Sequence, residues 1–182
     1  MRVSNAQWTA PRLLIASWGV FGVLGVLSQA LYRLTPLALE PVQQGMLEPY
    51  QWAIYIAWGA LNIYTEGIKG FQRGFNPRVV ARAIHLAHNP KPLHVVLAPF
   101  FCMSLFYATR KRLIVSWSLI IGITLIVVLV RQLPQPWRGI VDIGVVTGLG
   151  YGAAHLVAAF FKALISREQP STDSLPARAP VT

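Results

Sequence analysis

Residues 113–130 read LIVSWSLIIGITLIVVLV, eighteen positions without a charge and dominated by Ile, Leu and Val. A helix crossing the hydrocarbon core needs about 20 such residues at ~1.5 Å rise each. Three other stretches have the same character. Leu13–Leu31 carries no charge, Trp52–Thr65 is apolar apart from Asn62 and hydroxyl groups, and Ile140–Phe161 holds one Asp and one His. The second reaches spanning length once Tyr50 and Gln51 at one end and Glu66 at the other are counted as interfacial. The expected fold is therefore all-α: a polytopic helical membrane protein with spans at about 13–31, 51–67, 113–131 and 140–161.

Composition agrees. The chain has 182 residues, 54% hydrophobic and 12% charged, against about 25% charged in soluble domains. Arg2, Arg12 and the triplet Ser28-Gln29-Ala30 resemble a signal peptide with a cleavage site. The apolar run continues past the triplet and more spans follow, so an uncleaved anchor is the simpler reading. A lone cysteine, Cys102, excludes an internal disulfide, and its apolar setting makes it a small hydrophobe. The net charge of +10 would raise nucleic acid as a partner in a soluble protein. Here the basic residues flank apolar runs, so topology and anionic lipid explain them first, and no nucleic acid is expected.

Between the second and third spans, Asn76–Pro90 has the signature of a helix. Asn76 suits an N-cap, Pro77 the first turn, and Pro90 a stop. At 100° per residue, Val79, Val80, Ala83, Ile84, Leu86 and Ala87 share one face, and Arg78, Arg82, His85 and His88 the other. Such a helix, over 77–89, is expected to lie in the headgroup plane of the cytoplasmic leaflet, with Lys69, Arg73, Arg78, Arg82 and Lys91 touching lipid or a partner. The apolar stretch 93–108 is short for a span and is expected to be re-entrant or surface-lying. Residues 32–50, with Pro36, Pro41 and Pro49, read as an extended loop, and 166–182 as a disordered cytoplasmic tail beyond one membrane domain over 1–165.

Lys and Arg set the orientation. If 93–108 does not cross and the N-terminus is cytoplasmic, 13 basic residues lie inside and three, Arg33, Arg131 and Arg138, outside. If it crosses, the division is nine to seven. The positive-inside rule favours four spans with both termini cytoplasmic in a bacterial inner membrane, and five spans are the alternative. No Gly or Pro between Phe100 and Ile121 marks a turn there, which opposes the four-span reading.

Ionisable and amide groups inside spans are costly and often functional. Glu66 and His155 fall at similar depth near the inner interface, placed to pair, although Glu66 with Lys69 at i+3 is the blander choice. Asp142 stands one turn from Arg138, and Asn62 and Gln29 are expected to bond between helices. Gly144, Gly148 and Gly152 recur at four-residue spacing, a stripe that lets helix backbones approach within the chain or between copies. His85, His88 and His94 raise a metal or haem, but the arginines beside them disfavour a cation, and no His lies in the first three spans. Phosphate loops, nucleophile elbows and zinc-protease motifs do not occur, so no cofactor, metal or catalytic residue is expected. These features point to a protein acting by binding, as a scaffold, assembly factor or accessory subunit whose basic face holds anionic lipid, a membrane-protein partner or a second copy. The alternative is a small transporter or lipid-active enzyme using Glu66, His155 and the basic loop.

Overall fold

The computed structural model describes residues 8–166, and no strand occurs among them. Helix α1 runs Ala10–Gln43, α2 Pro49–Asn62, α3 Asn76–His88, α4 Pro92–Val96, α5 Ala98–Cys102, α6 Arg110–Val130 and α7 Trp137–Ser166. A wide-turn π-helical segment, Ile63–Phe75, joins α2 to α3. Helices α1, α6 and α7 are long and apolar enough to cross a membrane; α1 and α7 contain the expected spans at 13–31 and 140–161, and α6 contains that at 113–131 except Arg131, its C-cap. The fold is that of an all-helical membrane protein. The expected tail lies outside the described residues, apart from Ser166, which ends α7.

Helix α7 is the axis of the bundle, and α1 packs against it antiparallel. Pro41 abuts Gly139, Leu31 faces Gly150, and Phe21 meets Phe160 edge-on at 6.2 Å. The rod formed by α2 and the π segment runs parallel to α7. Gly59 lies against Thr147, Asn62 against Gly148, Gly67 against Tyr151 and Phe71 against Gly152. The chain thus ends α1 and begins α2 and α7 at one end of the bundle. It begins α1, ends the π segment and ends α7 at the other.

Helix α1 corrects the expectation of a loop over 32–50, because it continues through Pro36 and Pro41 to Gln43. Proline cannot donate to the carbonyl four residues back. For Pro41 that carbonyl belongs to Leu37, and Gln135 Nε2 donates to it at 3.3 Å. Gln135 also donates to Glu40 at 2.7 Å and accepts from Gly139 N at 3.0 Å. A side chain 94 residues downstream of Pro41 thereby repairs the helix the proline would interrupt.

A second correction concerns Asn76. Backbone angles at Asn62, Ile63, Phe75 and Asn76 are all right-handed helical, so α2, the π segment and α3 form one rod from Pro49 to His88. Asn76 is therefore fully buried inside the rod and is not a cap. Gly67, Gly70 and Gly74 weaken the preference for tight α-turns, and the wide turns end just before Pro77, whose ring would crowd the carbonyl of Arg73 in a regular α-helix.

The apolar residues of helix α3 pack on protein and not on a lipid surface. Val79, Val80, Ala83, Ile84, Leu86 and Ala87 form the core with Ala16, Val20, Val23 and Leu27 of α1, Ala98, Phe101 and Cys102 of α5, and Leu156 and Phe160 of α7. Gly19 permits the approach, since a Cβ there would sit 2.9 Å from Cys102 Sγ. The ambiguous stretch 93–108 contains α4 and α5, five residues each, followed by turns in which Ser104 and Tyr107 adopt positive φ.

Candidate functional site

The polar residues gather in two places, a seam along α7 and a basic end. The seam is built on the glycine stripe. A Cβ at Gly144 would collide with the Trp58 indole, one at Gly148 would lie 3.1 Å from Asn62 O and Glu66 Cβ, and one at Gly152 would overlap the Phe71 ring. The stripe is thus occupied within the chain, by α2 and the π segment. Asn62, expected to bond between helices, donates instead to Trp58 O of its own helix at 2.9 Å. Its side chain packs against Gly144 and its backbone carbonyl against Gly148, without an interhelical hydrogen bond from the amide. Gln29 is exposed on α1.

Farther along the seam, Tyr151 donates its hydroxyl to Gln72 Oε1 at 2.6 Å and stacks on His155. Asn76 Nδ2 donates to Gly152 O at 3.0 Å and lies 3.1 Å from His155 Nδ1, which makes Nδ1 the acceptor. Asn76 Oδ1 is buried without a hydrogen-bond partner. Glu66 and His155 do not meet. Glu66 sits at Gly148 and His155 at Asn76, about two helical turns apart along α7. Lys69 stands over the Tyr64 ring at 4.6 Å. At the opposite end, buried Asp142 faces Arg138 Nε at 3.7 Å, the local pair expected from their spacing.

Arg82 is the largest departure from the sequence reading. Expected at the lipid edge, it is fully buried. Its Nε donates to Phe101 O at 2.6 Å, and its terminal nitrogen to Phe106 O at 3.1 Å and Tyr107 O at 3.0 Å. The guanidinium also lies 4.2 Å from the Phe101 ring centroid. Irregular backbone near a bilayer needs internal donors for its carbonyls, and a five-donor fork at the centre of the 101–107 segment supplies them. Burial lowers the Arg82 pKa to about 10, still far above neutral pH.

His94 completes this cluster, at 5.1 Å from Phe101, 5.6 Å from Phe106 and 4.8 Å from Tyr107. Partial burial, with the charges of Lys91 and Arg82, lowers its pKa from the ordinary histidine value. No local pattern marks this cluster, because its rings converge around a segment with positive φ at Ser104 and Tyr107.

Beyond Arg82 the basic end opens outward. Lys69, Arg73, Lys91, Arg110 and Lys111 are exposed, and Arg78 and Arg112 half-buried. Arg78 Nε donates to Gly74 O at 2.7 Å. Burial, then the charge of Arg112, lowers the Arg78 pKa. Among the described residues, Glu40, Glu48 and Asp142 all belong to the far end, where α1 stops and α2 and α7 start. Of the described acids, only Glu66 approaches the basic end. Groups of three or more metal-ligating side chains do not occur among the described residues. The chain matches no known family model, no curated protein and no solved structure.

Proposed function

We propose that this chain crosses the membrane four times, with both termini cytoplasmic, and acts by binding, as a scaffold, assembly factor or accessory subunit. Chain direction supports the crossing number. If α1 and α7 cross in opposite senses, the α2–π rod returns parallel to α7, and α6 must cross to connect them. The stretch 93–108 then stays on the starting side as a re-entrant or surface-lying segment, since its helices are five residues each. The inner membrane of a bacterium fits the inside bias of Lys and Arg.

The observation that carries the binding role is the separation of charge along the bundle. Basic side chains face outward at one end with little acidic compensation, next to apolar surface on α6. Anionic headgroups, or an acidic face of a membrane partner, complement such a surface. The reading as a transporter or enzyme needs Glu66 and His155 in one site, and their separation along α7 removes its main support.

Two measurements test the proposal. In a Cys102→Ala background, cysteines introduced at Ser4, Gln72 and Ser171 should resist an impermeant thiol reagent in intact cells, while one at Gln44 should react. Labelling at Gln72 refutes the orientation, and labelling only at Ser171 among the first three supports five spans. Copurification from native membranes with mass spectrometry should recover anionic lipid or a stoichiometric partner, released by salt. Recovery of neither refutes a binding role for the basic end.

A further inference from the structure

Among the described residues, helix α6 is the one long helix without a buried residue. Ile114, Trp117, Leu119, Ile121, Leu125 and Leu129 are all exposed. Two side-chain bonds tie it to the body, Ser116 Oγ to Met103 O at 3.3 Å and Trp117 Nε1 to Leu105 O at 3.2 Å. Both lie in its first turns, so the remainder stands away from the bundle with its small position, Gly122, facing open space.

The base of this gap is cationic. Arg82 fixes the carbonyls of Phe106 and Tyr107, and α6 begins three residues later at Arg110. Arg78 lies one turn before Arg82 on α3, and Arg112, in the first turn of α6, is near enough for its charge to lower the Arg78 pKa. Like charges held together at a half-buried site repel, and no described acid lies between them.

We infer that one anionic phospholipid occupies this place, its phosphate between Arg78 and Arg112 and its acyl chains along α6. Charge complementarity selects the headgroup, because a phosphate accepts from both guanidinium forks. The apolar wall that rises directly from the arginines selects a lipid over a free phosphate. The lipid completes the packing of a helix that, beyond its first turns, stands clear of the other described residues. This inference rests on the proposed lipid-binding role of the basic end and narrows it to one site.

The test uses the full-length protein in detergent, with phosphatidylglycerol, phosphatidylcholine or inorganic phosphate added. Native mass spectrometry reads lipid retention, and thermal unfolding reads stabilisation. Wild type should retain one phosphatidylglycerol and melt higher with it. Arg78→Gln and Arg112→Gln should each weaken retention about fivefold, the equivalent of one surface charge. Lys69→Gln, whose side chain lies over Tyr64, should change it less than twofold. Arg112→Gln keeps the test open if Arg78→Gln, which also loses its bond to Gly74, fails to fold. Equal weakening by Lys69→Gln overturns the site but preserves a diffuse lipid-binding end. Stabilisation by inorganic phosphate equal to that by lipid overturns the lipid as occupant. Indifference of the wild type to lipid charge overturns both the site and the broader role.

Discussion

Adding one methyl group at Gly152 and one at Gly150 should have opposite effects. In a helix, Gly→Ala gains about 1 kcal/mol from propensity alone. At Gly150 the nearest side-chain atom is Leu31 Cδ2 at 4.0 Å, so most of that gain should survive. At Gly152 the new carbon overlaps Phe71 Cγ and lies 2.7 Å from Cδ1 and Cδ2. The ring has little room to retreat, since Phe75 packs on it edge-on at 5.3 Å. The helices cannot easily separate, because Asn76 Nδ2 is bonded to Gly152 O at 3.0 Å. Overpacking costs about 1–3 kcal/mol, and these restraints place Gly152 at the top of that range. The net effect is a loss of about 2 kcal/mol at Gly152 against a gain of about 1 kcal/mol at Gly150. At about 2–4 °C per kcal/mol for a chain of this size, the variants should melt about 6–12 °C apart in one detergent. Tryptophan fluorescence during heating measures this, and adding Phe71→Leu should recover part of the loss at Gly152. Two variants that move together, in the same direction and by the same amount, would refute the assignment of the stripe to the π segment.

Gly148→Leu should destabilise more than Gly150→Leu in the same assay, because only Gly148 faces the Asn62 carbonyl and Glu66 at 3.1 Å. Arg82→Met should cost about 3 kcal/mol, since it strands three carbonyls of the 101–107 segment; Arg82→Lys should cost less, and a neutral result for the Met variant would deny that the guanidinium holds the segment. His94 binds a proton less readily in the folded protein than in the unfolded chain. Its contribution is therefore complete above the ordinary histidine value of about 6.5 and is lost as pH falls below it. Unfolding followed between pH 8 and pH 5 should show this decline, and His94→Phe should flatten it.

What the sequence revealed depended on the range of the interactions. Leu113–Val130 is legible because length and apolarity suffice to define a spanning helix, whatever lies beside it. The apolar face of α3 is legible for the same local reason, as six residues at helical spacing. Its partner is not, because a face that fits a lipid surface also fits α1. The continuation of α1 through Pro41 depends on Gln135, and nothing near Pro41 announces that repair. Gly67, Gly70 and Gly74 disfavour a regular helix and Pro77 suits a first turn, yet they lie in and beside a wide-turned rod in close contact with α7. Asn76 illustrates the consequence: a residue type suited to a cap becomes a buried interhelical donor once the helix runs through it. The glycine stripe was readable, but its occupants Glu66 and Phe71 follow from the π turns, which no local pattern specifies.

Arg78 and Arg82 stand one turn apart on α3, and their environments divide the basic residues into two kinds. Irregular backbone around Ser104 and Tyr107 exposes carbonyls that lipid cannot satisfy. Arg82 satisfies three of them, and its charge stays inside the fold. Arg78 donates its Nε to Gly74 O and is close enough to feel the charge of Arg112, in the first turn of an unpacked helix. Removing the first charge therefore acts on folding whatever lipid is present, whereas removing the second acts most when anionic lipid is there to be held. The inward arginine also determines where the outward one lies, because the anchored 101–107 segment leads directly into α6. Loss of Arg82 should then weaken lipid retention as well, by releasing the start of α6 from Arg78, while loss of Arg78 leaves the carbonyl anchors intact.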